Sequence, residues 1–350
     1  MENLSGIFLD WYDRNKRQLP WRETRDPYLI WVSEIILQQT RVAQGLEYYL
    51  RFIRRFPDVA TLASASEEEV LKYWQGLGYY SRARNLHTAA RSIIESGTFP
   101  RTYEGVRALK GVGDYTAAAI CSSAFNLPYA AVDGNVYRVL SRLMGLDTPI
   151  DSPIGKREFA SLAGNLLDKT RPGDFNQALM DFGATLCTPR SPQCGFCPFA
   201  DVCVAFRENR VESLPVKQHR VKTTDRYFNY MYVRAGHYTF INKRSGNDIW
   251  HNLYELPLVE SDSSLTEEEF YRHPEVRTLV ETFPDHCFRL LCHGVRHVLS
   301  HRVIHADFYE LQLPPESISF GSCLRIREEE LDDYPFSQLI VRFLERYLER

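Results

Sequence analysis

Four cysteines inside one short segment constrain this chain more than any other feature: Cys187, Cys194, Cys197 and Cys203 form C-x6-C-x2-C-x5-C. Thiolates that close in sequence can fold around one tetrahedral ion or one cubane cluster. Zinc is the usual guest of a four-thiolate set, while Pro198 after the third cysteine and the single compact loop suit iron and sulfur equally well, so spacing leaves both open. Such crowding also argues against reading the eight cysteines as a disulfide framework. Cys121, Cys287, Cys292 and Cys323 are scattered and read as core filling.

A chain of 350 residues is long enough for two domains, and 44% hydrophobic with 13% aromatic residues gives each a core. No apolar run reaches the length of a membrane span, and the first residues lack a basic segment with a cleavage site, so a cytoplasmic, nucleoid-associated chain of bacterial type with no membrane partner is expected. The net charge of −3 hides an asymmetry: residues 1–224 hold 28 Lys and Arg against 24 Asp and Glu, residues 225–350 hold 14 against 21. A polyanion should therefore prefer the first part.

Helical periodicity dominates that part. Leu4, Ile7, Phe8, Trp11 and Tyr12 make one apolar stripe, and further helices are predicted over 28–39, 41–55, 67–75, 81–96, 103–109, 115–124, 135–144, 155–168 and 174–186. Ser66 and Glu69 form a predicted capping box. The basic stretch after Cys203 has no sustained period and reads as a linker over 206–224. YFNYMYVR, HYTFINKR and HVLSHRVIHADFYEL then predict strands, with a closing helix near 335–349, so 225–350 is read as an α+β domain.

Between two predicted helices, Leu109-Lys110-Gly111-Val112-Gly113-Asp114-Tyr115 is a helix–hairpin–helix signature. Its glycines let backbone approach a ligand, and amides at the next helix start can receive a phosphate without a strongly basic domain. Asp133 opens another helix, where an anionic carboxylate is favoured, although an ordinary N-cap would use the same residue. Glu34 shares a helical face with Ile30, Trp31 and Leu37. Burial there raises a carboxyl pKa, and a protonated Glu beside an ionised Asp is the pairing that glycosidic-bond cleavage requires.

LPWR (19–22), WVSEIILQQTRV (31–42), LGYYSRARNLH (77–87), the hairpin, VDGNVYRV (132–139) and the cysteine loop occur in this order. Together they resemble the MutY-type adenine DNA glycosylase family over about residues 8–205. The resemblance implies a mainly α helix-hairpin-helix DNA glycosylase domain over 1–205, in which Cys187, Cys194, Cys197 and Cys203 hold a [4Fe-4S] cluster. It implies excision of adenine mispaired with 8-oxoguanine or guanine in double-stranded DNA, by a monomer. Glu34 would protonate adenine N7, Asp133 would stabilise the cationic sugar, and Tyr115 and Asn135 would position it. Arg22 and Asp181 would line the adenine pocket, Gln39 and Tyr79 would wedge into the duplex with Thr40 in the substrate-binding set, and Lys110, Gly111 and Gly113 would hold DNA backbone. Tyr115 stands where the related endonuclease III family carries its Schiff-base lysine; a phenol cannot form that imine, so a monofunctional enzyme is expected.

The second domain, 225–350, resembles the Nudix-like fold that caps this family, through Asn252-Leu253-Tyr254-Glu255-Leu256-Pro257. No R-E-x-x-E-E box follows, and EEEF at 267–270 reads as a solvated helix face, so lesion recognition without hydrolysis is expected. Leu299-Ser300-His301 falls on the family's Phe-Ser-His loop, where Ser300 and His301 would hydrogen-bond 8-oxoguanine. His293, His297, His301 and His305 recur every fourth residue, but their neighbours favour strand over a metal-binding helix. A bifunctional endonuclease III-like enzyme for damaged pyrimidines and a non-catalytic iron-sulfur DNA-binding protein are the competing readings; Tyr115 and the two carboxylates disfavour them.

Overall fold

The computed structural model describes residues 4–219 and 222–347. In chain order its elements are α1 (Leu4–Asn15), α2 (Pro27–Leu37), α3 (Val42–Arg55), α4 (Val59–Ser64), α5 (Glu67–Trp74), α6 (Ser81–Ser96), α7 (Tyr103–Arg107), α8 (Asp114–Phe125), α9 (Gly134–Met144), α10 (Pro153–Leu166), α11 (Pro172–Thr185) and α12 (Val204–Arg207). There follow β1 (Thr224–Ala235), β2 (Tyr238–Lys243), β3 (Tyr254–Glu255), β4 (Leu258–Ser261), α13 (Glu267–Tyr271), α14 (Pro274–Val280), β5 (Cys287–Val298), β6 (Arg302–Leu313), β7 (Leu324–Arg327) and α15 (Gln338–Tyr347). The chain divides into two units, Met1–Ser64 with Asn85–Arg220, and Ala65–Arg84 with Val221–Arg350.

The first unit is helical for local reasons. Asp26 caps α2 by accepting the Tyr28 N–H, with Pro27 in the first turn, and α9 ends on Gly145 at φ +70. The stripe on α1 buries Phe8, Leu9 and Tyr12 against Val136, Val139 and Leu140 of α9, Phe159 of α10 and Phe175 and Phe182 of α11. Cys187, Cys197 and Cys203 pack on the same cluster, so the loop they belong to is seated on the helical core. The predicted helix over 28–39 stops at Leu37, where Gln38 leaves helical backbone at ψ 116 and Gln39 follows at φ +61. The single-turn α12 and the short α4 carry too few residues to show a period.

The stretch expected as a linker over 206–224 is largely docked. Leu214 is buried, Ile150 N–H donates to Val216 O at 3.0 Å, and Asp151 accepts the Gln218 and His219 amides at 2.8 Å. Only 220–223 separates that docked segment from β1, and residues 220 and 221 lie outside the described residues. One apolar anchor inside a basic, aperiodic run gives no periodic signal.

In the second unit the sheet order is β3-β2-β1-β6-β5, with β1 and β6 parallel, β4 antiparallel to β1 and β7 antiparallel to β2. Alternation along β6 sends Ile304, Ala306 and Phe308 to α15 on one face and Tyr309, Leu311 and Leu313 towards α13 and α14 on the other. The run HVLSHRVIHADFYEL is not one strand: it ends β5, turns at 299–301 and begins β6. The closing helix runs from Gln338 to Tyr347, and residues 348–349 of the expected helix lie outside the described residues.

Residues 65–84, expected in the first domain from their helical character, pack in the second unit. Asn252 Nδ2 donates to Glu67 Oε1 at 2.6 Å, Lys72 Nζ to Tyr334 O at 3.1 Å, and Tyr80 Oη to Phe336 O at 3.2 Å. These partners lie more than 180 residues away along the chain, beyond the reach of a periodicity argument. Among the described residues no helix is long and apolar enough to cross a membrane.

The ring of Phe343 on α15 lies parallel to Phe308 with centroids 4.0 Å apart. Phe343→Ala is expected to destabilise the second unit by about 3–5 kcal/mol through the cavity it leaves. Amide hydrogen exchange along β1 and β6 should quicken accordingly, while amides of α8 and α9 keep their protection.

Candidate active site and iron-sulfur loop

Glu34 sits on α2 with Ile30, Trp31, Ile35 and Ile36 buried around it, and is itself only 6% exposed. Tyr115, in the first turn of α8, donates its hydroxyl to Glu34 Oε2 at 2.9 Å and also lies 3.2 Å from Met180 Sδ. Burial pushes the Glu34 carboxyl up to about 7; the Tyr115 hydrogen bond and the Arg22 charge oppose this, and the charge of Asp133 adds to it. Burial likewise holds the Tyr115 phenol well above its usual range, so it remains a donor.

Asp133 is the N-cap of α9. Its Oδ1 accepts the Asn135 and Val136 amides at 2.9 and 2.8 Å, and its Oδ2 accepts Asn135 Nδ2 at 2.7 Å. The N-cap expected of Asp133 at this helix start is therefore real. The expectation of a carboxyl favouring ionisation needs correction: burial is the larger influence and raises the Asp133 pKa above the ordinary aspartate value despite those three donors. Asn135 is held in turn by Arg138 Nη2 at 2.8 Å, and Arg138 Nε donates to Cys187 O at 2.8 Å.

Arg22 and Glu34 face one cavity of about 110 Å³ with Tyr12, Trp21, Ile30 and Gln177 among its walls. Asp181, expected on that wall, lies behind it. It is fully buried, accepts Arg22 Nη1 at 2.7 Å and Nη2 at 2.8 Å, and is also paired with Arg17, so its oxygens are spent on two guanidiniums that hold its pKa below the usual range. Gln177, one turn earlier on α11, lines the cavity instead and accepts Arg22 Nε at 2.9 Å. Sequence reading missed Gln177, Arg17 and Arg138; the repeat of polar residues four apart on α11 was the signal for the first.

The hairpin is built as expected. Gly111 has φ +79, and an added Cβ would fall 2.7 Å from Asn85 Cβ, so both conformation and packing require glycine. Gly113, the N-cap of α8, has no side-chain cap and open space beside it, and Lys110 is exposed at the tip. Arg107 Nε bonds Asp114 Oδ1 at 2.5 Å in the adjoining turn.

Gln39 and Tyr79 both take left-handed backbone, at φ +61 and +47, with Thr40 following Gln39 half-buried. Such conformations are costly for residues with side chains and persist where a site demands them. In the second unit Tyr79 is 48% exposed, and its hydroxyl bonds Ser300 Oγ in the turn between β5 and β6, where His301 is exposed. Among the described residues the four spaced histidines do not form a ligand set: His293 lies against Asp307, His305 against Asp225, and His301 is in the turn. EEEF caps and forms α13, with Thr266 and Glu269 in a capping box.

Cys187, Cys194, Cys197 and Cys203 line one small cavity with Leu186, Ala200 and Phe206. Among the described residues no three His, Cys, Asp or Glu side chains converge as ligands of a single ion. Four sulfurs around a common hollow fit a cluster.

Glu34 binds its proton more tightly in the folded state, at about 7, than at its ordinary 4.5. Its contribution to stability is therefore complete below 4.5 and lost as pH rises through 7. Thermal melts at acid and alkaline pH should show Glu34→Gln gaining on the parent protein as pH rises across this window; a difference independent of pH would contradict the buried carboxyl.

Residues 32–162 match the HhH-GPD superfamily of base excision DNA repair proteins, 187–203 the iron-sulfur binding domain of endonuclease III, and 229–346 the NUDIX domain. The chain is 47% identical over 210 residues to the adenine DNA glycosylase of Mus musculus, covering 57% of this chain and 41% of that protein. It is 30% identical over 313 residues to the adenine DNA glycosylase of Buchnera aphidicola from Acyrthosiphon pisum, covering 89% and 87%. The chain thus spans less than half the mouse relative and most of the bacterial one. Among solved structures, a thermostable thymine-DNA glycosylase aligns with TM-score 0.55 and 31% identity over 58% of this chain and 95% of that one. An endonuclease III–DNA complex aligns with TM-score 0.51 and 23% identity over 59% and 94%, a likeness of fold. The cysteine loop is an iron-sulfur site, carrying the [4Fe-4S] cluster that its four thiolates fit. A helix-hairpin-helix catalytic fold, this loop and a Nudix-like domain in one chain place the protein in the adenine DNA glycosylase family.

Proposed function

We propose that this protein is a monofunctional DNA repair glycosylase that flips adenine out of duplex DNA, where it is mispaired with 8-oxoguanine or guanine, and hydrolyses its N-glycosidic bond. The observation that carries this reading is a glutamic acid buried to a pKa of about 7 on the wall of a cavity it shares with Arg22. Glu34 gives its proton to adenine N7; the C1′–N9 bond then breaks with its electron pair passing to the base, leaving positive charge on the sugar. Asp133, fixed by three N–H donors, supplies the second carboxylate, and water adding at C1′ gives its proton to the Glu34 carboxylate, which restores the acid. Asn135 and Tyr115 hold the two carboxyl groups. Asp181 serves by aiming Arg22, since its own oxygens are occupied.

Gly111 and Gly113 with Lys110 take a backbone phosphate, while Gln39 and Tyr79 enter the stack, their strained backbone aiming side chains that ordinary turns would not. Ser300 and His301 read the base opposite adenine. When bound, the iron-sulfur cluster fixes the fold of the loop that Arg138 ties to Asn135. The cytoplasmic setting and monomeric state belong to the same proposal.

Single-turnover release of adenine from duplexes with 8-oxoguanine, guanine or thymine opposite it tests the reading. Fast release opposite 8-oxoguanine, slower opposite guanine, with strand breaks only after alkali, is expected, and Glu34→Gln should abolish release while leaving DNA binding intact. Strand cleavage without alkali would favour a bifunctional enzyme, and release by Glu34→Gln would remove Glu34 from the chemistry.

A further inference from the structure

Asp248 gathers three guanidiniums in the second unit. Its carboxylate accepts Arg226 Nη1 at 2.7 Å, Arg244 Nη2 at 3.0 Å and Arg302 Nη1; against the upward push of burial, Arg302 and Arg226 hold its pKa down at about 2. The three do not depend on it equally. Arg226 also pairs with Glu260, and Arg244 with Glu255 at 2.6 Å, whereas the one ion pair of Arg302 among the described residues is with Asp248.

Arg302 is the first residue of β6, and its carbonyl accepts the Leu299 N–H at 2.8 Å, closing the turn that presents Ser300 and His301. Thr224 at the start of β1 donates to His301 O at 3.1 Å. The Asp248 loop carries Trp250 at φ +60, whose ring meets Phe228 and His297 edge-on with centroids 6.1 and 5.9 Å away. Asp248, Trp250, Tyr79, Leu299, Ser300 and Arg302 all border one cavity of about 860 Å³. A single carboxylate thus ties together the two walls of that cavity contributed by the second unit's loop and turn.

We propose that Asp248 is a positioning residue for opposite-base recognition: through Arg302 it fixes the turn bearing Ser300 and His301, and so sets the preference for 8-oxoguanine over guanine without touching DNA. This rests on the reading of Ser300 and His301 given above.

The test compares adenine release opposite 8-oxoguanine and opposite guanine by the intact chain and by Asp248→Asn, Asp248→Glu and Arg302→Met. Asp248→Asn is expected to lower the ratio of the two rates by about fivefold or more, the scale of coupling between directly contacting groups. The loss should fall on the 8-oxoguanine substrate, with the guanine rate kept, and Asp248→Glu should restore most of the ratio. Arg302→Met leaves Arg226 and Arg244 their own carboxylates and should reproduce the loss, which decides the matter if Asp248→Asn does not fold. An unchanged ratio in Asp248→Asn and Arg302→Met, in a parent that discriminates, overturns this inference alone. A parent with no preference overturns the reading of Ser300 and His301, and this inference with it.

Discussion

A carboxyl group buried against apolar side chains, with a phenol hydroxyl for company and, among the described residues, no ion pair, is the arrangement on which the first unit turns. Taking Glu34 out of water penalises its charged form, so it holds a proton near neutrality. That state survives only if four elements keep their places: α2 supplies the apolar face, α8 brings Tyr115, α9 brings the capped Asp133, and α11 brings Met180 beside the phenol. The core formed by α1, α9, α10 and α11 holds the last two, and the cysteine loop rests on the same core. Packing, site and iron-sulfur loop are therefore one construction.

The second unit solves a different problem. Its sheet is covered on one face by α15 and on the other by α13 and α14, so the turn between β5 and β6 projects from a rigid frame. Frame and turn are joined by charge: Arg226, Arg244 and Arg302 reach Asp248 from a strand, a loop and a strand start. Tyr79 arrives from residues 65–84, which pack here although the chain then returns to the first unit. A turn held by segments distant in the chain gains precision from such cross-ties.

Local signals were legible wherever one physical preference acted within a few residues. The Ser66 cap, the two hairpin glycines and the spacing of Cys187 to Cys203 each announced their structure. The burial of Glu34 followed from its neighbours at one helical turn. What failed to show were preferences set at long range. Asp181 is an acid on the right helix but one turn from the cavity, and only the positions of Arg17 and Arg22 reveal that its charge is spent inside the protein. Asp133 has the capping geometry expected at a helix start, yet burial by other elements reverses the direction of its pKa shift. The docking of residues 208–219 and the capture of 65–84 by the second unit depend on partners far away in sequence.

The claim that burial, tempered by Tyr115, turns Glu34 into the proton donor is tested most directly by the pH dependence of single-turnover adenine release in the parent and in Tyr115→Phe. The parent should lose activity as pH rises through about 7, where Glu34 gives up its proton. Removing the hydroxyl that favours the carboxylate should move that falling limb to higher pH. A falling limb near the ordinary glutamate value, or one that Tyr115→Phe leaves in place, would contradict the account.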